Sequence, residues 1–167
     1  MNNITITNFF NYFLSFRMSL EWVTVSNGKP PKNAFIGFED GEKKLFVARG
    51  EYNDGLHPCK FVYGHHCALL SWGGVEHKCD DCEVLLNDIA LFWKKMKVGD
   101  GELPEEAVQV GYEDGGPLYS ARARVGEDNN WSIGKYSRQQ DEAYFPDHDV
   151  EHVRTDGEIE VLCYKEE

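Results

Sequence analysis

Positive charge is scarce in this sequence. Its 167 residues include 17 Lys and Arg against 29 Asp and Glu, which gives a formal net charge of −12 at pH 7. A surface of this sign repels phosphate backbones and anionic lipid headgroups, because both are negatively charged. We therefore expect neither nucleic acid nor a membrane surface among the partners of the chain.

Long apolar runs are also missing. The apolar stretch at residues 9–16 is broken by Asn11, and it has neither a cationic start nor a small-residue cleavage site. It is far shorter than the roughly 20 residues that a membrane-spanning helix needs. We expect no membrane insertion, and we treat residues 1–20 as an N-terminal extension, with Met18 as an alternative start.

The sequence lacks a disulfide framework and catalytic signatures. Its five cysteines are an odd number, and four of them lie between residues 59 and 82. Reduced thiols indicate a cytoplasmic protein, with export by an unconventional route as the alternative. No G-x-S-x-G, P-loop or H-E-x-x-H motif occurs. Adjacent carboxylates on a turn cannot flank a glycosidic bond, so we expect no enzymatic activity.

What the sequence does contain is a duplication. A segment beginning at Trp22 and one beginning at Trp93 each continue through P-x-x-A, then G-F-E-D-G or G-Y-E-D-G, then L-F-V-A-R or L-Y-S-A-R, and both end in E-V-L. The offset between matching residues lies between 71 and 77. A repeat of this length indicates two copies of one structural unit. We place the copies at residues 21–92 and 93–167.

Short alternating runs between Gly-rich turns predict strands. They include residues 45–49 and 118–122, and each copy ends in a strand-like segment. Residues 85–96 have a weak helical periodicity, but they join the copies, and we interpret them as extended. The prediction is an all-β fold of two tandem, pseudo-symmetric antiparallel repeats forming sandwich-like lobes. Arg49 and Arg122 are predicted to pair with a carboxylate across the sheet or between the copies.

An acidic turn followed by a lysine occurs in both copies and is the main candidate site. The residues are Glu39, Asp40 and Lys60 in the first copy and Glu113, Asp114 and Lys135 in the second. Carboxylates accept hydrogen bonds from sugar hydroxyls, an ammonium donates to the same oxygens, and an aromatic ring can cover a pyranose face. The alternative is that Glu-Asp-Gly is turn chemistry. On either interpretation we expect exposed lysines that contribute little to the fold.

Histidines and thiols crowd the first copy, where residues 79–82 read C-D-D-C. A structural zinc site takes four N or S ligands. No second C-x-x-C pair occurs, however, and the second copy has no matching thiols. We predict no metal, and we keep a metal-dependent module as the third interpretation of the chain.

The order and spacing of the repeated segments, W…P-x-x-A…G-[aromatic]-[acid]…L-[aromatic]-x-A-R…K…E-V-L, resemble the DM-nine repeat family. Its members are invertebrate tandem-repeat proteins, some of them mannose-binding pattern-recognition lectins, and natterin-like proteins share the repeat. The resemblance covers residues 21–164. It implies an antiparallel β fold of two pseudo-symmetric lobes, no cofactor and often a homodimer.

The resemblance also implies a ligand. In the lectin type, an Asp after the turn glycine and a downstream Lys contact mannose. Here the lysines are Lys60 and Lys135, and Glu39 and Glu113 stand where the Asp would be. The implied function is a mannose-type lectin that binds mannose-containing glycans and microbial surface polysaccharide as a pattern-recognition factor in innate immunity. The alternative is an intracellular interaction protein with the same fold and no sugar binding.

Overall fold

The structure, a computed structural model, describes residues 19–25, 28–65, 67–87 and 90–165. These residues form fourteen β-strands and no helix, so the predicted all-β fold is confirmed. Residues 1–18, most of the expected N-terminal extension, lie outside the described part. Within that part, no helix has the length and apolar character needed to cross a bilayer.

Seven of these strands come from each copy. The strands of the first copy are β1 (Trp22–Val25), β2 (Ile36–Asp40), β3 (Lys43–Tyr52), β4 (Gly55–Val62), β5 (Ala68–Trp72), β6 (Val75–Cys79) and β7 (Cys82–Leu85). Those of the second copy are β8 (Leu91–Val98), β9 (Gln109–Glu113), β10 (Gly116–Val125), β11 (Asn130–Ser137), β12 (Glu142–Asp147), β13 (Val150–Arg154) and β14 (Gly157–Tyr164). Strand β8 shows that the joining segment is extended from Leu91 onwards, as predicted.

The strands pair in an antiparallel network whose order reads the same from both ends. The order is β1-β7-β3-β4-β5-β6, followed by β13-β12-β11-β10-β14-β8. Equivalent strands thus lie at mirrored positions, which relates the copies by a pseudo-two-fold axis. The copies meet edge to edge where Val75 pairs with Val150. The remaining strands, β2 and β9, pair with β3 and β10 respectively.

Buried apolar side chains form one core in each copy and a third core between them. Side chains alternate across a strand, so Phe46 and Ala48 of β3 face the first copy's own core, whereas Leu45 and Val47 face the shared one. The shared core takes Phe35, Leu45, Val47 and Leu85 from the first copy and Leu91, Val108, Val110, Ile133 and Leu162 from the second. Neither copy can bury this face alone.

Strand β9 also reaches into the first copy. Tyr112 pairs with Leu56 of β4. At the neighbouring Gly111, an added Cβ atom would lie 1.9 Å from the Leu56 carbonyl oxygen. Only glycine permits the two backbones to approach this closely.

The acidic hairpins of the two copies differ in register by one residue. Glu113 lies opposite Gly116, whereas Asp40 lies opposite the equivalent Lys43. Sequence comparison instead matched Glu39 with Glu113. The shift arises because the first copy has one residue more between the turn glycine and the following leucine, and the two-residue turn moves along to accommodate it.

Candidate functional site between the two copies

Lys135 of β11 lies in the space between the copies and is only 2% exposed. Its Nζ donates to Glu113 Oε2 at 3.3 Å and lies 2.9 Å from Nδ1 of His57, a residue of the first copy. The same Nζ is 5.4 Å from the centre of the Tyr144 ring. The lysine of the second copy is therefore held by side chains from both copies.

Glu113 extends this cluster towards solvent. Its Oε1 accepts a hydrogen bond from Trp72 Nε1 at 2.9 Å, and its side chain is 20% exposed. Trp72 and Tyr144 are half-buried. The result is a partly accessible carboxylate that contacts a buried ammonium and the Trp72 indole, with the Tyr144 ring next to the ammonium.

The hydrogen bonds of His57 define its protonation. Its Nε2 lies 2.9 Å from the Tyr52 carbonyl oxygen, which can only accept, so Nε2 carries the proton. Nδ1 is then free to accept from the Lys135 ammonium. Burial, and after it the charge of Lys135, lowers the pKa of His57. The imidazole is therefore neutral at pH 7 and serves as an acceptor.

Lys60 of β4 occupies the equivalent place in the first copy and is 5% exposed. Its Nζ donates to the Pro146 carbonyl oxygen at 2.5 Å, and Ser132 Oγ donates to the same oxygen at 2.6 Å. The ammonium also lies 3.6 Å from Glu76 Oε2 and 3.5 Å from Asp147 Oδ1. Two of the three partners of Lys60, Pro146 and Asp147, belong to the second copy, so the contacts of the two lysines cross the copies in opposite directions.

In both sites, burial and nearby charges shift the pKa values in opposite directions. It lowers the pKa of Lys60 and of Lys135, and the neighbouring carboxylates act in the opposite direction. At Asp147, burial raises the pKa, but the hydrogen bond with His148 and the charge of Lys60 outweigh it and leave the pKa below its usual value. Each site therefore consists of a buried ammonium that depends on nearby carboxylates.

The structure brings together only part of the predicted site. Glu113 and Lys135 meet as described. Glu39 instead pairs with Lys44 at 3.1 Å on the exposed hairpin. No ion pair or hydrogen bond among the described residues joins Asp40 to Lys60, and Asp114 is exposed at a left-handed turn position with φ of 48°.

Two sequence expectations are therefore corrected. Lys60 takes its carboxylates from Glu76 and Asp147, because its side chain points between the copies while the β2–β3 hairpin points outwards. Both lysines are buried, not solvated, because the shared face of each copy is covered by the other.

Sequence reasoning missed four side chains that shape these sites, namely His57, Trp72, Glu76 and Asp147. Two of their contacts, from Trp72 to Glu113 and from His57 to Lys135, join residues 41 and 78 positions apart. One signal was available. The strand registers match His57 with Ser132 and Trp72 with Asp147, so the copies differ beside lysines that they share.

The two repeated arginines pair as predicted. Arg49 Nε donates to Glu83, and Arg122 Nε donates to Glu160, each at 2.7 Å and across neighbouring strands. Arg122 Nη1 also donates to the Gly37 carbonyl oxygen of the first copy at 2.6 Å. The prediction that each arginine pairs with a carboxylate across the sheet is confirmed, and the contact between the copies is with a backbone carbonyl.

The histidines and thiols of the first copy form no metal-binding group in the part of the chain that the structure describes. Among the described residues, which omit His66, no group of three or more His, Cys, Asp or Glu is placed to hold a metal ion. Burial raises the pKa of Cys59 and Cys79, and raises that of Cys82 to about 11. These thiols are therefore protonated at neutral pH.

The fold and the site together define a two-copy, all-β protein with polar clusters between its copies. The sequence model of the DM9 repeat matches residues 39–155, and the chain belongs to this family. DM9 repeats are binding-type domains without enzymatic activity, and membership is consistent with a carbohydrate-binding or lectin-like role.

Other comparisons address the fold. No curated protein sequence matches the chain. Among solved structures, it is similar to the nematode sperm cell motility protein MFP2B, with 17% identity and a TM-score of 0.62. The match covers 87% of this chain and 46% of that one, so this chain spans less than half of that protein's length. At this identity the likeness shows the fold alone.

Proposed function

We propose that the chain is a lectin that binds mannose-type glycans at the lysine–carboxylate clusters between its copies. The observation that carries the proposal is the cluster of Glu113, Lys135 and Trp72. A partly open carboxylate accepts from vicinal hydroxyls, and a fixed ammonium beneath it holds that carboxylate in place. The half-buried rings of Trp72 and Tyr144 offer apolar faces to a pyranose.

The accessible group in this cluster is the carboxylate, not the lysine. Lys135 is almost fully enclosed, whereas the Glu113 side chain keeps a solvent-facing edge. A sugar would therefore contact Glu113 directly and depend on Lys135 through it. The cluster of Lys60 and Asp147 supplies a second, different site, so one chain would offer two sites of unequal affinity.

Weak sites of this kind favour polymeric ligands. A few hydrogen bonds to a hydrated polyol barely exceed those it makes with water. Two sites per chain, and four in a homodimer, raise avidity for a branched glycan by about 10²–10⁴. The biological ligand that fits is a microbial surface polysaccharide, and the role is pattern recognition in innate immunity.

The test compares two glutamates of the repeated turns. Glu113→Gln keeps the size of the side chain and an acceptor for Trp72 but removes the charge beside Lys135. We expect about tenfold weaker binding to mannan, since hydrogen bonds to a charged group contribute about 1.5–3 kcal/mol. Glu39→Gln is the matched control, because Glu39 pairs with Lys44 away from either cluster. Unchanged mannan binding by Glu113→Gln would contradict the proposal.

A second candidate rests on the burial of the lysines. Ammonium groups that are 2% and 5% exposed can act as ties between the copies without touching any ligand. The chain would then be an interaction protein that keeps the fold and binds no sugar. Absence of binding to every mannose-rich surface, with a folded protein, would favour this candidate.

A further inference from the structure

Each copy carries a groove at an equivalent place, next to its repeated arginine. In the first copy Arg49 pairs with Glu83 and lies 4.2 Å from the centre of the Trp22 ring. In the second, Arg122 pairs with Glu160 and lies 4.8 Å from the Trp93 ring. The grooves have volumes of about 700 Å³ in the first copy and about 570 Å³ in the second.

The two grooves have opposite charge. The first is lined by the basic residues Arg49 and Lys78 and by four acidic ones, namely Glu51, Asp80, Asp81 and Glu83. The second is lined by four basic residues, Lys95, Arg122, Arg124 and Arg154, and by two acidic ones, Glu158 and Glu160.

Three matched positions account for most of this reversal. The strand registers place Lys95 where the first copy has Thr24, Arg124 where it has Glu51, and Arg154 where it has Cys79. Each exchange adds positive charge to the second groove, in a chain whose net charge is −12.

Among the described residues, two of the four basic side chains in the second groove have no acidic partner. Lys95 pairs with Glu158, and Arg122 pairs with Glu160. Within the described part of the chain, no carboxylate lies at ion-pair distance from Arg124 or Arg154. Although the protein is acidic overall, no ion pair in its described part neutralises the charge of these two guanidinium groups.

Backbone carbonyls hold the two free guanidinium groups in place. Arg154 donates to the carbonyl oxygens of Glu158 at 2.7 Å and of Arg124 at 2.8 Å, and Arg124 donates to that of Asn129 at 3.1 Å. Carbonyls fix the orientation of a guanidinium without neutralising it. Both groups keep unused N–H donors, and a guanidinium presents its donors in a planar fork that matches an oxyanion.

Trp131 supports this arrangement from below. Its ring lies 5.3 Å from the guanidinium carbons of both Arg122 and Arg124, and Phe38 of the first copy stacks on it with ring centres 5.3 Å apart. The half-buried indole thus contacts both arginines and Phe38, and these contacts position the arginines. Fixing donors before a ligand arrives reduces the entropy lost on binding.

We propose that the groove of the second copy is an anion site, in which Arg124 and Arg154 bind a sulfate, phosphate or carboxylate group of a ligand. The groove of the first copy, which has Glu51 and Cys79 at these positions, does not bind such groups. This site is separate from the lysine clusters, and it stands whether or not the chain binds neutral sugars.

The test titrates three probes at low ionic strength, namely a sulfated disaccharide, glucuronate and inorganic phosphate. We expect amide NMR shifts at residues 122–124, 131 and 154, and the probe that binds most tightly identifies the anion. Arg124→Gln should weaken that binding about tenfold or more, because one charge-assisted pair is lost. Arg124 is exposed, so its substitution should leave the melting temperature close to that of the wild type.

Lys97→Gln is the matched control, because it removes the same charge from an exposed side chain of β8 outside the groove. It should bind within about twofold of wild type, because Lys97 does not line the groove and is already paired with Asp100. Raising the salt concentration should weaken binding to the wild type more than to Arg124→Gln. The proposal is overturned if no probe shifts the groove signals, or if Arg124→Gln and Arg154→Gln bind as wild type does.

Discussion

At Lys135 and Lys60 the chain places a positive charge between its copies, at a cost in desolvation that nearby acceptors offset. Removing a charge from water costs several kcal/mol per ion unless partners satisfy it. Lys135 has Glu113, the His57 ring nitrogen and the face of Tyr144. The energetic role of each lysine therefore lies in the partners it satisfies, which come from both copies.

Replacing Lys135 by alanine should destabilise the fold. The variant leaves the Glu113 carboxylate and the His57 nitrogen without their donor. We expect a loss of about 1–3 kcal/mol, below the full cost of breaking a buried pair because Glu113 keeps some contact with water. Urea denaturation measures this loss. Lys97→Ala, at an exposed position, should change stability by less than about 1 kcal/mol, and equal effects of the two substitutions would contradict the burial of Lys135.

His57 should make stability depend on pH. Its pKa in the folded protein is lowered below the ordinary 6.5, by burial and then by Lys135. The unfolded chain therefore binds more protons in the window below pH 6.5. The contribution of this residue is fully present above pH 6.5 and is lost as the pH falls towards the lowered value.

The measurement is urea denaturation at several pH values from 5 to 8. His57→Gln should lose less stability than wild type between pH 7 and pH 5. His148 gives a control of opposite sign, because its hydrogen bond and ion pair with Asp147 raise its pKa. Its contribution is present below pH 6.5 and is lost as the pH rises through the raised value, so His148→Gln should lose more stability than wild type on acidification.

At the scale of elements, the contact between β9 and β4 fixes how the copies approach. Gly111→Ala would place a methyl group against the Leu56 carbonyl oxygen. Because backbone atoms cannot rotate away, we expect a loss of about 2–3 kcal/mol, the upper part of the range for overpacking. Gly116→Ala on the same hairpin is the control, because its nearest contact is the flexible end of Gln139. Comparable unfolding midpoints in urea for both variants would contradict the close backbone approach of β9 to β4 at Gly111.

The hairpins also show what the sequence could predict about elements. Both acidic turns were predicted, since Asp and Gly at adjacent positions favour left-handed conformations. Asp114 and Gly115 adopt these conformations in the second copy, and Gly41 does so in the first. The strand register was not predictable from the similar sequences G-F-E-D-G and G-Y-E-D-G. One additional residue in the first copy shifts its turn along the hairpin by one position. Local chemistry determines that a turn forms, and strand pairing determines which carboxylate occupies a given place.

At the scale of the whole molecule, duplication predicted two equivalent seven-strand units but not how they interlock. Alternation in β3 indicates two buried faces, yet nothing local to Val47 or Lys60 shows that the covering atoms belong to the other copy. The same limit explains why the contact between Glu113 and Lys135, which belong to one copy, was predicted correctly. The carboxylate partners of Lys60 were predicted wrongly, because its acceptors lie mostly in the other copy.

The palindromic strand order has a consequence for ancestry. Two separate, identical chains of seven strands could form the same strand order and a shared core, with a lysine of each chain buried between them, because isologous pairing needs one self-complementary surface. Joining two such chains into one gene product makes that dimer permanent. It also frees each half to mutate alone, whereas in the dimer every change would occur twice. The exchanges of Glu51 for Arg124 and of Trp72 for Asp147 are changes of that asymmetric kind.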